Sequence, residues 1–175
     1  MNAMKKILAL ALAGVMALAL LTGCGTGGSA SHKSIAKAMA DYENGIDRKT
    51  TITCTSSAVL DAKLQELAAN PEFKSKIVKK VYNNEKPSSA DIPAGFVSAF
   101  PNMVVYLYCG KYDKDAGKQA INLNAHHTQI SPTSTSSLAA DRKIGLITTS
   151  FTDTNGEKVK VRFAVVVSEI PTATP

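Results

Sequence analysis

Ile144 to Ser168 reads IGLITTSFTDTNGEKVKVRFAVVVS, and this stretch decides the fold class. From Lys158 onward, Val159, Val161, Phe163, Val165 and Val167 alternate with Lys158, Lys160, Arg162 and Ala164. A period of two is the period of a β-strand, whose successive side chains point to opposite faces. Asn155-Gly156 lies between this run and Ile144 to Thr152. Asn-Gly tolerates the positive φ angles of a tight hairpin turn. The reading is an antiparallel hairpin of residues 144–152 and 158–168, with Val161, Phe163 and Val165 buried.

Working back from the hairpin, residues 126–140 read as mostly loop, because seven of the fifteen are Ser or Thr. Asp113 to Leu123 is predicted helical, with Ala116, Ala120 and Leu123 on one side. Met103 to Cys109 (MVVYLYC) is a second strand core. It puts Val105, Leu107 and Cys109 on one face and Val104, Tyr106 and Tyr108 on the other. Pro87 to Pro93 reads as a loop. Two helices precede it. One is capped by Ser56 or Ser57 and striped by Leu60, Leu64 and Leu67. The other restarts at Asn70-Pro71 and carries Phe73, Ile77 and Val81 before Asn83-Asn84 closes it. Thr50 to Thr55 is β-prone, and Ile35 to Tyr42 (IAKAMADY) is a short helix that Asn44-Gly45 ends. Helices first, then a strand, a helix and a hairpin make an α+β domain with a small, mainly antiparallel sheet covered by helices.

The first 23 residues read as a lipoprotein signal peptide. Lys5 and Lys6 precede Ile7 to Leu21, an apolar run of 15 residues. A membrane span needs about 20, so the run suits the core of a secretory signal. Leu21-Thr22-Gly23-Cys24 then supplies an apolar residue, two small ones and a cysteine to carry lipid. Two acyl chains at Cys24 suffice for stable attachment. The expected place is the outer face of the cell membrane, or an outer membrane where the cell has one. Residues 24–34 are expected to form the lipidated Cys and a flexible tether, with His32 in solvent. Residues 35–170 form one domain, and residues 171–175 a frayed tail.

The chain carries +6, and +4 once Lys5 and Lys6 leave with the signal. So mild a charge favours anionic lipid or wall polymer and does not single out nucleic acid. With Cys24 lipidated, Cys54 and Cys109 remain in an oxidising compartment, where a leftover pair is expected to form a disulfide. Closing that loop would contribute about 4 kcal/mol.

Complete catalytic motifs are missing. There is no Gly-rich phosphate loop, GxSxG, HExxH or CxxC. Ser34-Ile35-Ala36-Lys37 spells SxxK, but without the partner motifs of that chemistry. His126 and His127 are the histidines that a site could use, and neighbours in sequence point apart, so no metal or other cofactor is expected. Tyr106 and Tyr108 share one strand face and could stack a sugar or pack beneath a helix.

About two-thirds of the exported chain resembles the CAP superfamily of cysteine-rich secretory and pathogenesis-related-1 proteins. Glu43-Asn44-Gly45-Ile46 and Thr53 to Leu67 are similar to that family's opening "ENGL" and "LDAKAQELA" segments. Asn102 to Ile130 is similar to its strand, helix and His block, with His126 and Ile130 at the "GHRxxI" spacing. Ile144-Gly145-Leu146, Asn155-Gly156 and Phe163-Ala164-Val165 are similar to its closing hairpin. The resemblance implies a three-layer α-β-α sandwich. It also implies a cavity with two His and two acidic residues, and here the chain departs. Pro101-Asn102 stands where the "GEN" acid would fall, and no His occurs between Lys33 and His126. Only His126 carries over, with Asp113 or Asp115 as candidate acids.

Three functions follow as expectations. The first is a non-catalytic CAP-like domain, anchored through Cys24, that binds a lipid, an envelope polymer or a protein, with Tyr106, Tyr108, His126 and His127 as candidate binding residues. The second is a hydrolase of envelope or host polymer using His126 with Asp113 or Asp115. The third is a structural lipoprotein unrelated to CAP.

Overall fold

The computed structural model describes residues 30–46, 50–130, 137–152 and 155–170. The signal segment, Cys24 and residues 171–175 lie outside the described residues. Helix α1 spans His32–Asn44, and strand β1 Thr53–Ser56. Helices α2 and α3 span Ala58–Ala69 and Pro71–Tyr82, and a 3₁₀ turn covers Ser89–Asp91. Then come α4 (Ala94–Ser98), β2 (Met103–Lys111), α5 (Ala116–Ala125), β3 (His127–Gln129), β4 (Asp141–Thr152) and β5 (Lys158–Glu169). Among the described residues no helix is long and apolar enough to cross a membrane.

The protein is α+β, with one five-stranded mixed sheet of order β1-β4-β5-β2-β3. β4 and β5 pair antiparallel from Lys143↔Val167 to Thr152↔Lys158, as the sequence predicts. β5 pairs β2, and β2 pairs β3, also antiparallel; β1 runs parallel to β4. Gly156 sits in the hairpin loop at φ +83° with nothing within 4 Å of a would-be Cβ. The glycine is needed there for its backbone angle alone.

Each face of the sheet buries its own hydrophobic cluster. Leu60, Leu64, Leu67, Phe73, Ile77 and Val81 from α2 and α3 pack on Val105, Leu107, Cys109, Ile147, Val161, Phe163, Val165 and Val167. Ile35, Ala36 and Met39 of α1, with Ala120 and Leu123 of α5, pack on Tyr108, Ile144, Leu146, Ala164 and Val166. Among the described residues, every member of both clusters lies between Ile35 and Val167, so the segment from Ala30 onward contains both clusters. Val161, Phe163 and Val165 are fully buried. The alternate face of β5 is buried too: Ala164 and Val166 lie under α1 and α5, and Arg162 is 3% exposed. Two glycines let helices come close. A Cβ on Gly145 would lie 2.5 Å from Leu60 of α2, and one on Gly110 would lie 2.7 Å from the Asn122 carbonyl of α5.

Three expectations need correction. The tether does not extend to residue 34. Ser31 caps α1 by accepting from the Ser34 N–H, and His32, half-buried, lies 3.1 Å from Asp61 of α2. The other oxygen of Asp61 accepts the Leu146 N–H at 2.7 Å, continuing the edge of β4 where β1 ends. Helix α1 begins early because this carboxylate holds its first residue.

Secondly, Cys54 and Cys109 are both free thiols. β4 and β5 stand between their strands, which at about 4.8 Å per strand separates them by about 14 Å. A disulfide needs Cα atoms about 4.4–6.8 Å apart. The two also face opposite clusters, Cys54 with α1 and Cys109 with α2 and α3. Side-chain alternation along each strand was readable; which strands are neighbours was not.

Thirdly, the stretch read as loop from residue 126 holds β3, three residues paired to Tyr106, Leu107 and Tyr108. The helix read from Asp113 starts at Ala116, with the Asp115 side chain as its cap.

Candidate functional site

Helices α1 and α5 lie side by side and run in the same direction. Their starts are tied where Ala30 N–H donates to Lys114 O at 2.9 Å. Their ends flank a cavity of about 340 Å³. The end of α1 supplies Tyr42 and Glu43, and α5 supplies Asn124. β2 contributes Tyr106 and Tyr108, β3 contributes His127, and β4 contributes Arg142; Ile46, Ser137 and Leu138 complete the wall.

The cavity is built on a buried ion pair. The Arg142 side chain is 4% exposed and that of Glu43 15%, with Nη1 donating to Oε1 at 2.6 Å. Arg142 Nε donates to Ala139 O at 2.8 Å. A guanidinium out of water needs such partners to offset its desolvation. Beside it, burial pushes the Cys54 thiol up to about 11, opposed by Arg142 and assisted by Glu43. Burial and then Glu43 also push the Tyr108 hydroxyl up. Burial likewise raises the Cys109 thiol, out of reach on the far face. Neither thiol ionises near neutral pH, so neither is a nucleophile there.

Three rings form the aromatic wall. His127 stacks on Tyr108 at 5.2 Å between centroids and 26° between planes, and lies 5.9 Å from Tyr106. Tyr106 and Tyr108 are 6.4 Å apart. Tyr106 Oη donates to Gln129 Oε1 at 3.1 Å. His127 Nδ1 lies 2.9 Å from Asn124 O. A carbonyl only accepts, so Nδ1 carries the proton, and in the neutral ring Nε2 is left as an acceptor. That tautomer is assigned from the hydrogen bond.

The structure therefore gathers Tyr106, Tyr108 and His127 and leaves the other sequence candidates outside. His126 ends α5; its carbonyl accepts from the Cys109 N–H, and its side chain does not line the cavity. Asp115 caps the start of α5 by accepting from Lys118 N–H, and Asp113 Oδ1 accepts from Asp115 N–H. Ten helical residues separate these acids from His126, about 15 Å along the axis. The expected His126–Asp pairing does not form. Among the described residues no group of three or more His, Cys, Asp and Glu gathers to hold a metal.

Sequence reasoning missed Tyr42, Glu43 and Arg142 as site residues. Glu43 and Arg142 are 99 residues apart, and no local pattern links them. The available signal was Arg142 itself, a cation two residues before the apolar start Ile144-Gly145-Leu146-Ile147 of the hairpin. No family model, no curated protein and no solved structure matches this chain.

Proposed function

We propose that this chain is a lipoprotein anchored at Cys24 outside the cytoplasm, and that its domain is a non-catalytic, CAP-like binding module. The lipobox at Leu21 to Cys24 supports the anchor. The helices packed on both faces of the sheet support a three-layer α-β-α reading, as the resemblance implies. The observation that carries the binding reading is the cavity at the paired ends of α1 and α5. It is lined by aromatic rings over a satisfied ion pair, it sits within the size range of small-molecule sites, and neither thiol is activated. A hydrolase working through His126 lacks its carboxylate.

Two measurements test this. Radiolabelled fatty acid should enter the wild-type chain and not Cys24→Ser; a wild-type protein that washes off membranes without detergent removes the anchor. An envelope extract added to the 25–175 fragment should shift the His127 ring resonances and leave those of His126 in place. An extract that shifts neither removes the binding module.

A further inference from the structure

The cavity lies at the far end of the domain from the tether. The chain enters at Ala30, fastened beside Lys114 at the start of α5. The cavity begins at Tyr42 and Glu43, in the last turn of the 13-residue α1. Thirteen helical residues span about 20 Å. Six residues lead from Cys24 to Ala30, and an extended chain covers at most about 3.6 Å per residue, hence about 22 Å. To put the cavity on its own membrane, the tether would have to run back along α1 with almost no slack. Charge favours the upright arrangement. Lys33, Lys111, Lys114 and Lys118, all exposed, surround the tethered end, against Asp113 and Asp115, and a basic surface is drawn to anionic headgroups.

The lining narrows the ligand. An acyl chain needs a continuous apolar slot, whereas here hydroxyl, imidazole, amide, carboxylate and guanidinium groups interrupt the rings. An anion would need a free cation, and the Arg142 guanidinium is bonded to Glu43 and Ala139. What remains open is acceptor-rich. His127 presents Nε2, and Asn124, whose Nδ2 donates to Ala120 O, presents Oδ1. Tyr42 is 43% exposed and Ile46 58%, so the rim is apolar. A sugar ring matches this combination, with C–H faces for the aromatic rings and hydroxyls that donate to the acceptors.

We propose that the cavity at the paired ends of α1 and α5 binds a sugar ring of an envelope glycan, presented away from the anchoring membrane. The proposal rests on the binding-module reading and adds the ligand class.

The chain has no Trp and five Tyr, three of them in the cavity, so tyrosine emission reports directly on occupancy. The 25–175 fragment, which contains both hydrophobic clusters, is titrated with chitohexaose and, separately, with oleate. The expected result is a saturable change with chitohexaose. Tyr106→Ala should weaken it about tenfold, an aromatic contact's worth. Tyr106→Phe, which keeps the ring and loses only the Gln129 bond, should stay within about threefold. Circular dichroism of each variant checks that it folds. Saturation by oleate alone overturns the glycan proposal and leaves the binding module standing. Chitohexaose binding unchanged in folded Tyr106→Ala and Tyr42→Ala places the sugar elsewhere and overturns it too. Silence towards both probes overturns the sugar; if the envelope extract is silent as well, the binding module goes with it.

Discussion

At the residue scale, the two free thiols give the plainest test. Burial holds Cys54 near 11 and raises Cys109, and the thiolate is the reactive species. Iodoacetamide at pH 8 should therefore leave both untouched in the folded protein and modify both in guanidinium. A disulfide would leave neither thiol to react in guanidinium before reduction. The Glu43–Arg142 pair gives a second test. Arg142→Leu removes the guanidinium from beside a carboxylate that is 15% exposed, and breaking a buried pair costs about 3–5 kcal/mol. The double change Arg142→Leu with Glu43→Leu removes both charges and should recover most of that loss in a denaturant titration. If the double variant is as unstable as the single one, the pair is not what holds the cavity floor.

At the element scale, the segment between α3 and β2 depends on one carboxylate oxygen. Asp91 Oδ2 accepts from Lys80 Nζ at 2.5 Å and from the Ser88 N–H and hydroxyl, each at 2.7 Å. Burial works to raise its pKa, but these donors outweigh it and hold Asp91 below the ordinary carboxylate range. A lowered acid stabilises the fold above its unfolded pKa and loses that contribution as pH falls through the folded one. Wild type should therefore lose stability below about pH 4. Asp91→Asn should cost about 1–3 kcal/mol at neutral pH and flatten that acid slope; equal slopes would exclude Asp91 as its source. On the opposite edge, Gly145→Ala forces a methyl into α2 at Leu60 and should cost about 1–3 kcal/mol. Full stability there would mean α2 sits further from β4. These elements were unequally readable. The β4–β5 hairpin was plain because its alternation is long and its turn is Asn-Gly. β3 was not, since three residues amid Ser and Thr carry no period and owe their strand to pairing with β2. Tyr106, Tyr108 and His127 were readable as candidates. Their convergence with Glu43 and Arg142 was not, because it depends on strand order.

At the scale of the whole molecule, two clusters share one sheet, and β5 contributes to both. A chain cut after Thr152 loses the strand that joins β4 to β2. It should show no cooperative thermal transition, whereas loss of residues 171–175 should leave the transition in place. A cooperative melt in the shorter chain would mean that the helical half folds alone.

On the proposed reading as an exported lipoprotein, the same strand order bears on translocation. β1 must wait for β4, whose Asp141 pairs with Thr53 across 88 residues, and the sheet's middle strand, β5, follows the other four described strands in the chain. Contacts so distant in sequence slow folding. On that reading, a polypeptide threaded outward from its amino end has no finished five-stranded sheet to jam in a translocation channel, because β5, which joins β4 to β2, crosses after the other four described strands.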